Sequence, residues 1–381
     1  MPRLGMLNRR EFSGLALACG ASAFLGSRGS ILAGRSDKPR GLLYVAVPGV
    51  RDYLEYGGHG VLVYDVAADH KLLRRIPAGG KDASGKPINV KGIAASAKTK
   101  RLYVCTIRSL ECFDLETDKL LWEKTYEGGC DRMSISPDGA HLYVPSFEGP
   151  HWNVVAGEDG AVIAKIVPNS GAHNTVYGPL GRSVYLAGLK SPLLTVADPK
   201  THQAVRTVGP FGGAIRPFTV DGGETRVYAC VNGLLGFEVG DLTTGKLVRR
   251  VAVDGFKTGL VKRHGCPSHG IGMTPDGSQI WLCDSFNQRL HIFALEGDNV
   301  KIVDSLKVCD EPGWVTFSID GRRAYPSTGE IIDVQTRKTL GTLADEAGKP
   351  VQSEKLLEIL FEGTTPTHSG DQFGRGRPST S

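Results

Sequence analysis

The sequence carries none of the short motifs that identify common enzyme classes. It has no Gly-x-Ser-x-Gly elbow, no phosphate-binding glycine loop and no dinucleotide fingerprint. The CxxC, HxxxH and HExxH spacings of familiar metal sites are also missing. These absences remove the usual sequence grounds for assigning a serine hydrolase, a nucleotide-dependent enzyme or a zinc enzyme.

Excess basic charge is also lacking. The formal net charge is +5 over 381 residues, and no run of Lys and Arg is interleaved with aromatic residues. Without residues 1–33 the chain keeps 41 Lys and Arg against 39 Asp and Glu, a net charge of +2. We therefore expect no nucleic-acid partner, because such partners are bound mainly through basic surfaces.

Long apolar runs are absent as well, even at the N-terminus. The segment 8–12, Asn-Arg-Arg-Glu-Phe, resembles a twin-arginine export signal, and the weakly apolar stretch after it is too short for a permanent membrane helix. We predict a signal peptide over residues 1–33, no transmembrane anchor, and a periplasmic or extracellular protein. The alternatives are a lipid anchor at Cys19 and a cytosolic protein with a chance Arg-Arg pair.

Turn formers and short apolar segments are plentiful. The chain has 50 Gly and 21 Pro, and 40% of its residues are hydrophobic. One pattern recurs, an aromatic residue between two mostly apolar neighbours just after a turn. Its seven aromatic positions are Tyr44, Tyr103, Tyr143, Tyr185, Tyr228, Trp281 and Tyr325. Turn residues such as Pro137-Asp138-Gly139 precede most copies, which predicts hairpins at regular intervals.

Four short strands for each copy predict the blades of an all-β, seven-bladed propeller. The first repeat begins at its second strand, so we expect Lys355–Phe361 to supply the missing strand and to close the ring by pairing of the N- and C-terminal segments. This predicts one propeller domain over residues 34–361 and a loose tail over residues 362–381. A β-sandwich, two β domains, or six or eight blades are the alternatives.

The repeats resemble the YVTN family of β-propellers. The matching segments are Tyr44-Val45-Ala46-Val47, Tyr103-Val104-Cys105-Thr106 and Tyr143-Val144-Pro145-Ser146, together with the Ser-Pro-Asp-Gly turn at 136–139. The resemblance covers residues 40–361 and implies the propeller fold. Relatives include surface-layer proteins, lactonase-like proteins, and propeller subunits of amine dehydrogenases and nitrous-oxide reductase. No Trp-Asp dipeptide closes the repeats, which separates them from the WD40 type.

Seven cysteines follow residue 33, an odd number that cannot pair completely within one chain. Cys105 and Cys112 flank a predicted turn at Arg108-Ser109, which would place them opposite each other in a hairpin. A disulfide is one interpretation, and two small buried strand residues are the one we favour.

The long loops predict where ligands would bind. They fall on the face formed by blade crossovers and by the turns between second and third strands, and long loops on a rigid scaffold commonly carry binding residues. Residues that start the innermost strands should ring the central channel there. The predicted ligand-binding set at the channel mouth is Arg132, His173, Asn174, Arg216, His269, Trp314 and His59. The alternative is that these polar residues only satisfy backbone groups and line a water-filled channel.

Metal binding is the weaker hypothesis. The segment 264–269 places His264, Cys266 and His269 close together in a loop. No metal is favoured and no cofactor is predicted. Asp65, Asp114, Asp198 and Asp333 recur at equivalent third-strand positions, so we assign them a structural role in turns.

Three functions remain open. The first is an exported, monomeric binding or scaffold protein that recognises a small molecule or a protein partner. The second is a propeller enzyme, a lactonase-like hydrolase or a lyase, using His173, His269 or Arg216. The third is a subunit of a periplasmic redox complex in which another chain carries the cofactor.

Overall fold

The computed structural model describes residues 39–297 and 299–378, so the predicted signal peptide lies outside the described residues. The first blade takes β1 (Arg40–Val47), β2 (Gly60–Asp65) and β3 (Lys71–Ile76), with short 3₁₀ turns at Leu54–Tyr56 and Val66–Ala68. The second and third blades contain β4 (Val90–Ser96), β5 (Arg101–Thr106), β6 (Ser109–Asp114), β7 (Leu120–Thr125), β8 (Ser134–Ile135), β9 (His141–Pro145), β10 (Trp152–Ala156) and β11 (Val162–Ile166).

The fourth and fifth blades contain β12 (Ala172–Tyr177), β13 (Val184–Gly188), β14 (Leu194–Asp198), β15 (Gln203–Val208), β16 (Ile215–Val220), β17 (Arg226–Val231), β18 (Gly236–Asp241) and β19 (Leu247–Ala252). The sixth and seventh contain β20 (Ile271–Met273), β21 (Gln279–Asp284), β22 (Arg289–Glu296), β23 (Asn299–Lys307), β24 (Val315–Phe317), β25 (Arg323–Pro326), β26 (Glu330–Asp333) and β27 (Thr339–Thr342). The chain then returns to the first blade with β28 (Leu356–Glu362) and β29 (Thr365–Ser369).

The strands form seven antiparallel sheets, one for each blade. Six sheets have four strands in chain order, and the first has the order β29-β28-β1-β2-β3. The prediction of an all-β propeller with seven blades of four antiparallel strands is therefore confirmed, and the first blade carries β29 as a fifth strand. Within the described residues, no helix has the length and apolar character needed to cross a bilayer.

Ring closure uses the predicted segment. Strand β28 pairs with β1, with Leu42 opposite Ile359 and Tyr44 opposite Leu357. The C-terminal end of the chain thus supplies the innermost strand of the first blade. Leu357 and Ile359 lie in an apolar core that extends into the second blade, so closure buries side chains as well as strand edges.

The repeat aromatics link neighbouring blades. All seven lie on second strands and are buried. The Tyr103 hydroxyl donates to the Gly157 carbonyl of the next blade at 2.8 Å, and the Tyr185 hydroxyl donates to Glu224 at 3.0 Å. Each ring packs in an apolar core between two neighbouring sheets, and in these two copies the hydroxyl also reaches a polar partner in the next blade, which explains why an aromatic recurs at this position.

The recurring third-strand aspartates hold turns, as expected. Asp114 Oδ1 accepts the Thr117 amide at 2.8 Å, and Asp333 Oδ1 accepts the Thr336 amide at 2.8 Å. A short carboxylate thereby satisfies turn amides that lie beyond the strand pairing.

The predicted opposition of Cys105 and Cys112 is wrong. Cys105 lies opposite Leu110, and Cys112 lies opposite Tyr103. The turn falls one residue earlier than expected, and this shifts the pairing by two positions. Both residues are buried free thiols, as are the other described cysteines except the exposed free thiol of Cys309. The interpretation of Cys105 and Cys112 as small buried strand residues is confirmed.

The C-terminal segment differs from the expected loose tail. Residues 365–369 form β29, and residues 370–378 cross the end of the channel where first and second strands turn. The segment is hydrogen-bonded to the innermost strand of every blade or to a residue directly beside it. Examples are Ile93, Thr219 and Met273. Its short polar side chains and its backbone N–H and C=O groups form hydrogen bonds with polar groups of these strands that the pairing within the blades does not use. The segment therefore covers this end of the channel.

Candidate functional site

A polar cavity of about 240 Å³ opens at the other end of the channel, on the crossover face. Five of its charged or polar lining residues lie at the start of innermost strands or directly before them, and the crossover loops supply several others. The lining includes Arg51, Lys91, Arg132, Glu148, His173, Arg216, Arg263, His264, His269, Glu354 and Lys355. This is the face on which the sequence placed the functional residues.

Arg132 lies at the centre of a buried network. Its Nη2 donates to Glu354 Oε2 at 2.6 Å, and its Nη1 lies 3.2 Å from His173 Nε2. The guanidinium carbon lies 5.0 Å from the Trp314 ring centroid, a cation–π contact. One arginine thus connects residues from the first, third, fourth and seventh blades.

Asp131 and His173 form a buried pair. His173 Nδ1 lies 2.5 Å from Asp131 Oδ2. Burial opposes ionisation of Asp131, but the hydrogen bond from His173 and the positive charges of Lys91 and Arg132 outweigh burial and hold the pKa of this carboxyl well below its usual range. Burial also lowers the pKa of His173, despite the opposing effect of Asp131. A neutral His173 that donates from Nδ1 and accepts from Arg132 at Nε2 has both nitrogens engaged.

Glu354 and Lys355 form the second buried pair, which the sequence analysis did not assign to the site. Lys355 Nζ donates to Glu354 Oε2 at 2.5 Å and to the Gly49 carbonyl at 3.0 Å. Burial, aided by the positive charge of Arg132, lowers the pKa of Lys355 to about 7. Burial favours a protonated Glu354, but Lys355 and Arg132 outweigh it and hold the Glu354 pKa well below its usual range.

His264 and His269 stack in the cavity wall. Their ring centroids are 4.3 Å apart with 14° between the planes. The His264 Nδ1 atom lies 3.5 Å from Glu354 Oε1, and His269 Nδ1 lies 3.3 Å from the Gly313 carbonyl. A Cβ on Gly313 would lie 2.2 Å from His264 Nε2, so this glycine makes room for the stack.

Both stacked histidines are neutral at neutral pH. Burial lowers the pKa of His264 to about 4. Burial, reinforced by His264, lowers the pKa of His269 well below its ordinary value. Each ring therefore has a lone pair available to a ligand or a metal ion.

The rim of the cavity carries arginines with neutral partners. Arg216 Nε donates to the Asn232 side-chain oxygen at 2.6 Å, and Arg51 Nη2 donates to the Arg263 carbonyl at 2.7 Å. In the described part of the chain, no carboxylate forms an ion pair with Arg51 or Arg216. The rim is thus electropositive.

The structure brings together Arg132, His173, Arg216 and His269 from the predicted set, and adds His264. Trp314 lies beneath Arg132 and donates its indole N–H to the carbonyl of Gln372 in the C-terminal segment.

The remaining predicted residues lie elsewhere or make no cavity contact. Asn174 is buried beside His173, and its side chain has no hydrogen-bond partner among the described residues. His59 bonds to the Gly80 carbonyl, outside the cavity lining. The Cys266 thiol donates to the Ser268 carbonyl at 3.0 Å and does not join the two histidines.

Sequence signals for the missed pair existed. Glu354 and Lys355 lie directly at the start of the predicted closing strand. Asp131-Arg132 and Ser268-His269 occupy the same place in their blades. The expectation that residues at the start of innermost strands ring the channel therefore also applies to the closing strand, and it predicts both residues.

Comparison with known proteins assigns no family to this chain. No family model matches the sequence, and no curated protein matches it. A solved structure, hydrazine synthase of Kuenenia stuttgartiensis, shares 14% identity, with a TM-score of 0.45 over 69% of this chain and 96% of that chain. The fold assignment rests on the strand topology described above, and the resemblance to the YVTN family stays a prediction.

Proposed function

We propose that this propeller binds a small organic anion, a carboxylate, in the cavity on its crossover face. One observation carries the proposal, the excess of positive charge on the cavity lining. Six Lys and Arg residues line the cavity with two Glu residues: Arg51, Lys91, Arg132, Arg216, Arg263 and Lys355 against Glu148 and Glu354. Asp131 and Asp310, outside the lining, form ion pairs with Arg132 and Arg263, so an excess of two positive charges remains. Arg51 and Arg216 have only neutral partners among the described residues.

Arg216 is the residue best suited to hold the ligand. Its guanidinium faces the cavity from the rim, and its own contacts are to neutral oxygens. A guanidinium fork matches a carboxylate with two parallel hydrogen bonds. Because the described part of the C-terminal segment crosses the opposite end of the channel, we expect a ligand to enter and leave from the crossover face.

The competing interpretation is a channel whose polar residues serve only the fold. Arg132, Asp131 and Glu354 fit that interpretation, since each is buried and engaged by protein partners. Arg216 separates the two interpretations, because a half-buried residue with two neutral contacts contributes little to stability.

The test is calorimetric titration of the purified protein with a panel of mono- and dicarboxylates, with inorganic phosphate as a second anion. We expect Arg216→Gln to weaken carboxylate binding by about tenfold or more, the usual effect of removing a charged hydrogen bond. Arg322→Gln is the matched control, because Arg322 is exposed in a turn on the opposite face. Absence of binding to every carboxylate, or equal affinity in both variants, would reject the proposal.

We also propose that the protein acts outside the cytoplasm. The twin-arginine-like segment at residues 8–12 supports export. Replacing Arg9 and Arg10 together by Lys should retain the protein in the cytoplasm when cells of a twin-arginine-competent bacterium are fractionated. Unchanged export of the double variant would contradict the assignment of the signal.

A further inference from the structure

We propose that His264, His269 and Glu354 form a binding site for a divalent transition-metal ion, with Zn²⁺ as the ion of best-matched chemistry. The three residues come from two separate parts of the chain, the loop before β20 and the segment before β28. The fold of the ring, and not a local sequence motif, brings them together. This site goes beyond the proposed binding of an anion and is tested without one.

The distances suit a single ion. One donor atom from each residue lies within 4.8 Å of the other two, and His264 Nδ1 is 3.5 Å from Glu354 Oε1. Two ligands of a tetrahedral zinc ion, each bonded at roughly 2.0–2.2 Å, are separated by about 3.4 Å. Small side-chain rotations would therefore bring all three atoms to bonding distance.

Two of the donors already have the supporting hydrogen bonds that metal ligands require. A carbonyl can only accept, so His269 donates from Nδ1 to Gly313, which leaves the Nε2 lone pair free. Glu354 uses Oε2 to accept from Arg132 and Lys355, and this leaves Oε1 facing His264. Such partners fix the orientation of ligands before an ion binds.

The ligand set favours an ion of intermediate softness. Two imidazoles and one carboxylate are a common set for zinc sites that keep a fourth position open. Cys266 stays outside the set, since its thiol bonds to the Ser268 carbonyl. Without a thiolate, copper(I) and iron–sulfur clusters are poorly matched.

The nearby positive charges do not prevent a cation from binding. Arg132 and Lys355 both contact Glu354 Oε2, and Arg132 and Lys91 also lie within 4 Å of Asp131. Buried carboxylates therefore offset these cations inside the network. Because all three residues line the cavity, an anionic ligand bound there would be able to complete the coordination and balance the charge of the ion.

The test measures metal binding by the full-length chain, without an affinity tag and after removal of metal with a chelator. Equilibrium dialysis against Zn²⁺, followed by elemental analysis, gives the stoichiometry. Co²⁺ substituted at the same site gives visible absorption that reports four or five ligands. We expect about one ion for each chain.

The variants are His264→Gln and His269→Gln, with His141→Gln as the matched control. His141 lies on the second strand of the third blade and contacts His202, outside the cavity. We expect each cavity variant to bind at least tenfold more weakly and to lose the Co²⁺ absorption, while the control binds like the wild type.

Circular dichroism measures whether each variant is folded. If one cavity variant does not fold, metal binding by the other variant tests the proposal. Absence of stoichiometric metal on the wild-type chain would overturn the proposal. Unchanged binding in a folded cavity variant would overturn it too. Because no carboxylate ligand is present, the result is independent of the anion titration.

Discussion

Glu111 lies in the third strand of the second blade with 5% of its surface exposed. Its Oε2 accepts the Gly79 amide at 2.7 Å. Burial raises the pKa of Glu111 to about 7. The folded state therefore holds a proton that the unfolded chain releases at a lower pH. Stability from this residue is greatest at acidic pH and falls as pH rises from the unfolded pKa toward 7.

Replacing the Glu111 carboxyl by a neutral amide should remove this loss of stability at higher pH. We expect Glu111→Gln to raise the free energy of unfolding at pH 8 by about 1–3 kcal/mol and to change it little at pH 5. Urea denaturation at the two pH values measures the difference. Glu158→Gln on the exposed surface should show no pH-dependent gain, and an equal gain in both variants would refute the assignment.

Individual site residues could be predicted only in part from the sequence. The sequence predicts the position of His173 and His269 at the start of innermost strands, because the repeat fixes where each strand begins. Their partners were not, since the contact of Arg132 with Glu354 joins residues 222 positions apart. The sequence places the loop of His59 on the correct face. It does not show where the side chain points, and His59 therefore lies outside the cavity.

The C-terminal segment is the element that sequence reasoning misjudged. Its polar, glycine-containing composition resembles a free tail, but that composition supplies groups that bond to the innermost strands. Gln372 accepts from the Ile93 amide and donates to the Met133 carbonyl, so one side chain connects two blades. Phe373 packs against Trp314 with ring centroids 5.7 Å apart.

This packing predicts that the segment contributes to stability. Phe373 is 2% exposed, so Phe373→Ala should lower the free energy of unfolding by about 3–5 kcal/mol, the usual cost of emptying an aromatic site. Thr365→Ala, at an exposed position of β29, is the control and should cost less than about 0.5 kcal/mol. Chemical denaturation followed by tryptophan fluorescence measures both. A Phe373→Ala protein as stable as the wild type would indicate a tail that does not pack.

At the scale of the whole molecule, the fold was the most predictable feature. Seven aromatics at regular spacing define seven second strands, and hairpin turns fix most of the neighbouring pairs. The error at Cys105 shows the limit, because a turn displaced by one residue changes every opposed pair in that hairpin. Repeat spacing therefore predicts the number and order of blades more securely than the register within one blade.

Two truncated chains test whether the ring depends on its closing strand. Ending the chain after Lys355 removes β28, which exposes the edge of β1 and opens the core that Leu357, Ile359 and Phe361 share with the second blade. Ending it after Ser369 keeps this pairing and removes only the segment that crosses the channel. We expect the shorter chain to aggregate or to lose its β-sheet circular dichroism, because an open ring leaves two blade faces uncovered. The longer chain should stay folded with a lower melting temperature. A folded, monomeric product from the shorter chain in size-exclusion chromatography would show that the ring does not depend on its closing strand.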